Sequence, residues 1–241
     1  MKILVLSEMT IYPEIKKICE DKGFAVDKKI VIKIEPMPDG YPPDNMQYDV
    51  VIFQSKNAVI HSKRFWGNIK KQKPAVYCLG KYTCCVIKEK IGVDATYPKD
   101  ESSSENLIKI INETMQQTGG YSKKYVIFSG LGGREIIGEM LRKNNQSVYH
   151  SNIYNRREDE TIRITENDLD EKNTNYIVVS SRFALKVFLN KTSKFIKKYK
   201  AVYIIPNKRV IDKIDGITSS IIINNLNKAS YYIDAILNHE Q

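Results

Sequence analysis

The sequence predicts an α/β protein built from two similar parallel-sheet units. Two observations carry this expectation. Short apolar runs rich in β-formers alternate with segments of helical periodicity along the chain, and parts of that pattern occur twice. Residues 50–60 read VVIFQSKNAVI and residues 176–186 read YIVVSSRFALK, so Ser55 falls on Ser181, Lys56 on Arg182 and Ala58 on Ala184, at an offset of 126. Val76-Tyr77-Cys78-Leu79 falls on Val202-Tyr203-Ile204-Ile205 at the same offset. A second pairing sets Lys2 to Ser7 (KILVLS) on Lys124 to Ser129 (KYVIFS). Two related units make a cleft, and clefts bind ligands.

The elements follow in order. The first strand signal covers 2–6. Ile11 to Lys22 is a helix with Ile15, Ile18 and Cys19 on one face and Gly23 as its stop. A strand signal at 29–34 lies within a long extended segment of mixed polarity, Asp27 to Met37, and Pro36, Pro38, Gly40, Pro42 and Pro43 then mark a loop. Strand signals at 49–53 and 75–79 come next. Ser104 to Gln116 is a helix with a serine-rich start suited to capping and with Leu107, Ile110 and Ile111 facing inward. The strand at 124–128 leads to a helix from Arg134 to Lys143 carrying Ile136, Ile137, Met140 and Leu141. Ser147 to Arg157, with a strand core at 148–154, is the second long extended segment. Strand signals at 176–180, 201–205 and 219–223 and a helix from about Lys228 to Leu237 complete the chain. Alternation of this kind implies parallel sheets covered on both faces. The two extended segments each follow a strand–helix pair, a position from which they can join the units as a two-stranded ladder. The chain then crosses near residue 35 and returns near 155.

Composition narrows the classes. Hydrophobic residues make up 42% and aromatic residues 10% of 241 residues, as in a globular chain long enough for two cores. The apolar runs fall far short of the roughly 18–20 residues that span a bilayer, so no membrane association is expected. Met1-Lys2 leads into a strand-like run ending at Ser7-Glu8 with no cleavage-site pattern, so no signal peptide is expected and the expected location is cytoplasmic. Cys19, Cys78, Cys84 and Cys85 form no Cys-x-x-Cys pair and read as buried free thiols. His61, His150 and His239 are too scattered to suggest a metal site. Lys and Arg number 38 against 28 Asp and Glu, a net charge of +10, which favours a polyanionic ligand. The basic residues are spread, however, with small groups at 70–73, 88–90 and 194–200, and no aromatic–basic motif points to nucleic acid.

Particular motifs narrow the reading further. The apolar strand ending Phe53-Gln54-Ser55 is followed by a helix opening Asn57-Ala58-Val59. Cys78-Leu79-Gly80-Lys81-Tyr82-Thr83 is an apolar-Gly-x-x-Thr turn. Ile127-Phe128-Ser129-Gly130, then Gly132-Gly133-Arg134-Glu135 and Leu141, make a strand, a glycine turn and an Arg-Glu helix. Val148 and Tyr154 follow, and Ser180-Ser181 repeats the first turn. In this order and spacing the motifs resemble the uroporphyrinogen-III synthase family over nearly the whole chain. The resemblance implies two α/β domains, 1–34 plus 155–241 and 35–154, joined by a two-stranded β-ladder with the active site in the inter-domain cleft. It implies a monomer that needs no cofactor or metal. The reaction it implies closes hydroxymethylbilane, a linear tetrapyrrole, to uroporphyrinogen III with inversion of the terminal pyrrole and loss of water. Unassisted, the bilane closes without inversion to the type I isomer, so the main task is to hold a flexible substrate bent.

The resemblance also implies site residues. The substrate carries eight carboxylates, and strand-to-helix turns offer backbone N–H donors suited to them. Ser55, Thr83, Ser129, Gly130 and Ser181 stand at such turns as substrate-binding candidates, with plain helix capping as the competing role. Lys56, Arg182 and Arg134 are candidate carboxylate partners, with exposed surface cations as the alternative. Tyr154 is the catalytic candidate: a phenol is protonated at neutral pH and can donate to a leaving hydroxyl, although a packing role in the ladder is the competing account. The chain departs from the family pattern at Ser7-Glu8-Met9, where the family has Thr-Arg-Pro. Gln54 replaces a Thr, and Ile205-Pro206-Asn207-Lys208-Arg209 lacks the second Gly-x-x-Thr. Lys208 or Arg209 is expected to meet a carboxylate by charge there. Three rival functions are a two-lobed binding protein for a small anion, an inactive synthase homologue and a nucleic-acid binder.

Overall fold

The computed structural model describes residues 1–241 other than 7, 8, 10, 101, 118, 120, 224–227 and 241. Ser7 and Glu8, which end the first strand motif, lie outside the described residues. In chain order the elements are β1 (Lys2–Val5), α1 (Tyr12–Asp21), β2 (Ala25–Lys28), β3 (Ile32–Pro36), β4 (Val50–Phe53) and α2 (Lys56–His61). Then come α3 (Trp66–Gln72), β5 (Ala75–Cys78), α4 (Lys81–Lys90), α5 (Ser104–Gln117), β6 (Lys124–Gly130) and α6 (Ile136–Lys143). The last are β7 (Ser147–Glu158), β8 (Asn175–Val178), α7 (Arg182–Thr192), β9 (Ala201–Ile205), β10 (Ser220–Ile222) and α8 (Ala229–Glu240). Among the described residues no helix is long and apolar enough to cross a membrane.

The chain divides into two compact units, Met1–Lys33 with Arg157–Gln241, and Ile34–Arg156. The first holds a sheet ordered β10-β9-β8-β1-β2, parallel throughout. Its inner strands β1, β8 and β9 are apolar at successive positions because both faces are covered. Ile3, Val5, Tyr176 and Val178 pack with Ile15 and Cys19 of α1 and Tyr232 and Ile236 of α8. Leu4, Ile177 and Tyr203, one residue along, pack with Leu185 and Phe188 of α7 on the other face. The second sheet is ordered β3-β7-β6-β4-β5, with β7, β6, β4 and β5 parallel. Val51, Phe53, Val126 and Phe128 pack with the Ala58-Val59 pair of α2 and with Ile87 of α4, and the Phe53 and Phe128 rings stack at 5.4 Å. Ile52, Tyr125 and Ile127 pack with Leu107 of α5 and Leu141 of α6.

The sequence repeat is visible in this topology. Strands β2, β1, β8 and β9 take the places of β7, β6, β4 and β5. Register is kept at the centre: Ile3 pairs with Tyr176, and its repeat equivalent Tyr125 pairs with Val50. At the next strand it slips by one. Val76 pairs with Val51, whereas Val202 pairs with Tyr176, so the sequence match of Val76 with Val202 is one residue out. Within one unit the β–α–β piece β1-α1-β2 comes first, and in the other its equivalent β6-α6-β7 comes after the β4-to-β5 piece.

Two expectations need correction. Asp27 to Met37 is not one extended segment. Strand β2 ends at Lys28, where it has run its parallel pairing with β1, and β3 begins at Ile32 in the other sheet, so the strand expected at 29–34 is broken over Lys29–Val31. The cysteines are free, but only Cys19 and Cys78 are buried; Cys84 is half-buried and Cys85 exposed. Adjacent residues on α4 point about 100° apart, so they cannot share one buried face.

Candidate functional site

In an open parallel sheet, ligands bind beyond the carboxyl ends of the strands where the strand order reverses. In the second unit the chain leaves β4 toward β5 on one side, and leaves β6 toward β7 on the other, so the reversal lies between β4 and β6. A pocket of about 280 Å³ opens there, lined by Gln54 and Ser55 after β4, Leu79 after β5, Ser104, Gly130, Gly132, Gly133 and Arg134 of the glycine turn, and Tyr154 and Arg156 from β7.

Tyr154 is placed by an irregularity in the ladder. Between β6 and β7, Ser129 pairs with Asn152 but Gly130 pairs with Tyr154, so Ile153 is passed over. Such a bulge re-aims the side chains beyond it. A Cβ on Gly130 would stand 2.5 Å from Tyr154 Cζ, so the phenol lies where only glycine leaves room. The ring is buried, stacks on His61 at 5.7 Å, and carries the Arg156 guanidinium 5.7 Å from its centroid. Its Oη lies 2.9 Å from Ser55 Oγ. Ser55 is the N-cap of α2 and accepts from the Ala58 N–H at 3.1 Å. One hydroxyl thus serves a helix terminus and the phenol together.

The glycine turn is held from two sides. The Gly133 N–H donates to the Gly130 carbonyl, and the Gln54 side-chain amide donates to the Arg134 carbonyl at 3.1 Å. Arg134 meets the Glu105 carboxylate through two bonds, at 3.1 and 2.6 Å, and that hydrogen bonding pushes its pKa further up. Behind the turn, Ser129 is fully buried. Its hydroxyl donates to Asn152 Oδ1 at 2.7 Å and so accepts from His150 Nε2 at 2.8 Å. That fixes the His150 proton on Nε2 and leaves Nδ1 buried and unpartnered among the described residues. Burial lowers the pKa of His150, and likewise that of His61.

The structure therefore brings Ser55, Gly130, Arg134 and Tyr154 together at one pocket. Ser129 sits behind that pocket with its hydroxyl committed to His150 and Asn152. Thr83 is buried in the first turn of α4 and does not line it, and Lys56 reaches over the Tyr82 ring at 5.6 Å. Ser181 and Arg182 belong to the other unit, at its own reversal between β8 and β1. There Ser181 caps α7 by accepting from the Ala184 N–H, the counterpart of the Ser55 cap. Arg182 donates to the Arg209 carbonyl and meets Asp212, so its guanidinium closes the 207–212 turn. Sequence reasoning missed Gln54 as a tie between turns, and missed His61 and Arg156. The spacing of Arg156 was the available signal, since residues two apart on a strand share a face.

The comparisons with known proteins bear on this geometry. The family model described as "Uroporphyrinogen-III synthase HemD" matches residues 13–207. The chain belongs to the uroporphyrinogen-III synthase family. It is 31% identical over 83 residues to the uroporphyrinogen-III synthase of Salmonella typhimurium, a match that spans 34% of this chain and 32% of that protein. Its fold is similar to the uroporphyrinogen-III synthetase of Helicobacter pylori 26695, with a TM-score of 0.65 at 13% identity over 99% of both chains. It is also similar to a mutant uroporphyrinogen III synthase of the extremely thermophilic bacterium Thermus thermophilus, with a TM-score of 0.58 at 12% identity over 99% of both chains. At such identities the fold is shared while most side chains differ, so site roles in this member of the uroporphyrinogen-III synthase family rest on its own geometry.

Proposed function

We propose that this chain catalyses the family reaction, cyclising hydroxymethylbilane to uroporphyrinogen III with inversion of the terminal pyrrole and loss of water, in tetrapyrrole (haem) biosynthesis. The observation that carries the reading is the Tyr154 phenol, buried against Gly130 and bonded to Ser55 at a pocket on the strand reversal. A general acid has to keep its proton for the substrate. Ser55 Oγ already accepts from Ala58, so its own proton is available to Tyr154 Oη, and the phenol proton is then left for the leaving hydroxyl. A chain of donors running from backbone amide to serine to phenol strengthens each link. Departure of water leaves an azafulvene cation, which the terminal pyrrole attacks through a spirocyclic intermediate. In that intermediate the original bond from the terminal pyrrole to its methylene breaks and the methylene joins the pyrrole's other α-carbon; the proton lost as the ring regains aromaticity balances the one given to the leaving hydroxyl, and no oxidation state changes.

Ser55, Gly130 and Arg134 serve this reading as pocket residues. Lys56, Thr83, Ser129, Ser181 and Arg182 remain proposals whose side chains lie outside the pocket lining. The cytoplasmic location, the monomeric state and the lack of a cofactor are parts of the same proposal. A second reading, an inactive homologue, draws on the altered turn after β9, where Arg182 is engaged by Arg209 and Asp212.

The test supplies purified protein with freshly generated hydroxymethylbilane, then oxidises the products and separates the isomers by chromatography. Predominantly type III porphyrin is expected. Type I alone at the unassisted rate, from folded protein, overturns the reading in favour of an inactive homologue or a binding protein.

A further inference from the structure

We infer that Arg156 is the cation in this pocket that holds a carboxylate of the substrate. The inference rests on the proposed reading of the pocket and assigns it a ligand contact. Two guanidinium groups line the pocket, Arg134 and Arg156. Arg134 is matched in charge and geometry by Glu105, to which it donates two hydrogen bonds. Arg156 is half-buried, lies over the Tyr154 ring, and has no carboxylate or carbonyl acceptor among the described residues. A guanidinium presents five N–H donors in a planar fork that fits a carboxylate bidentately. Leaving such donors partly buried and unused is unfavourable unless a ligand arrives to take them.

The strand explains the placement. Tyr154 and Arg156 are two residues apart on β7, so both point to one face, and Asn155 points to the other. The bulge at Ser129/Gly130 turns this face toward the glycine turn. A ring carboxylate on Arg156 would therefore set a pyrrole within reach of the Tyr154 hydroxyl, which is the positioning that the reaction needs. Lys56 is a less suitable partner for the same anion, because its ammonium lies over Tyr82 and outside the lining.

The experiment compares wild type with Arg156→Gln and Arg156→Lys in two assays. One measures steady-state formation of type III product from hydroxymethylbilane. The other measures equilibrium binding of uroporphyrin III, an eight-carboxylate macrocycle, by fluorescence quenching at low and high salt. Expected for Arg156→Gln are a KM at least tenfold higher, a smaller change in kcat, weaker porphyrin binding by a similar factor, and a flatter salt dependence. Arg156→Lys is expected to restore part of the binding, because it keeps the charge and loses the fork. A KM and a Kd equal to wild type in a variant that retains its circular dichroism spectrum overturn the inference, as does lost stability with unchanged KM. Should Arg156→Gln fail to fold, Arg156→Lys decides alone, and wild-type values in both assays overturn the inference. The two readings fail separately. Wild-type protein that yields no type III product yet binds porphyrin through Arg156 defeats the synthase reading only. Type III product with an indifferent Arg156 defeats only the assignment of Arg156.

Discussion

A phenol can act as an acid toward a substrate only when its proton is not already given to the protein. At Tyr154 the ring meets Gly130, stacks on the neutral His61 and lies under Arg156, and among the described residues its hydroxyl bonds to Ser55. Tyr154→Phe keeps the stacked ring and removes the proton. The expected result is a folded protein whose turnover to type III product falls by on the order of 10²-fold or more, the usual scale for losing a general acid. Unchanged turnover removes Tyr154 from the chemistry. Gly130→Ala attacks the same position from the other side. The added methyl would stand 2.5 Å from Cζ and 2.9 Å from Oη, so the ring has to move. Overpacking of this kind costs about 1–3 kcal/mol, and turnover is expected to fall further than that loss of stability explains. A denaturant titration run beside the kinetics separates the two effects.

At the scale of elements, the two serine caps and the bulge behave differently. Ser55 and Ser181 cap equivalent helices with equivalent bonds, to Ala58 and Ala184. Ser55→Ala and Ser181→Ala are each expected to lower stability by about 1 kcal/mol in urea unfolding. Ser55 also meets Tyr154 Oη, so its replacement is expected to cost the more of the two, and equal losses would mean that the phenol contact adds nothing to stability. The caps, the strands and the amphipathic helices were legible because they are local: a serine before Asn57-Ala58-Val59, or an apolar run between turns, carries its own signal. The break between β2 and β3 was not legible, since Ala25 to Lys28 is polar in its second half and its strand status comes from pairing with β1. Nor was the bulge, which depends on how β7 meets β6, and with it went the contact of Tyr154 with Gly130 and the engagement of Arg134 by Glu105. Ser129 read as a turn hydroxyl open to substrate, yet the half-buried pair His150 and Asn152 takes it. Burial lowers the His150 pKa, so the unfolded chain takes up the proton first as pH falls. The stability that neutral His150 contributes is present above its unfolded pKa of about 6.5 and is lost as pH falls through the lower folded value. His150→Gln retains an N–H for Ser129 and cannot titrate. Its unfolding midpoint is expected to decline less between pH 7 and pH 5 than that of wild type, and an identical decline assigns the acid sensitivity to other groups.

At the scale of the whole molecule, the two units share a sheet order but not a chain path. The equivalent of the N-terminal piece β1-α1-β2 stands at the end of the second unit, so that unit is one continuous stretch, while the first is assembled from both ends of the chain. This asymmetry predicts which half folds alone. The stretch from Ile32 to Glu158 contains every strand of the second sheet, both apolar faces with their helices, and all the residues that line the pocket. Its size lies within the range of ordinary single domains. Expressed by itself, it is expected to unfold cooperatively in urea and to retain the protection of its central strands β4 and β6 in hydrogen exchange. The N-terminal fragment that ends at Val31 has only β1, α1 and β2, and the interior strand β1 then lacks its β8 neighbour, so this piece is expected to stay unfolded until residues 159–241 are supplied. A broad, non-cooperative transition in the 32–158 stretch would mean that its sheet depends on the other unit for stability. The repeat would then describe ancestry and topology without describing two independent folding units.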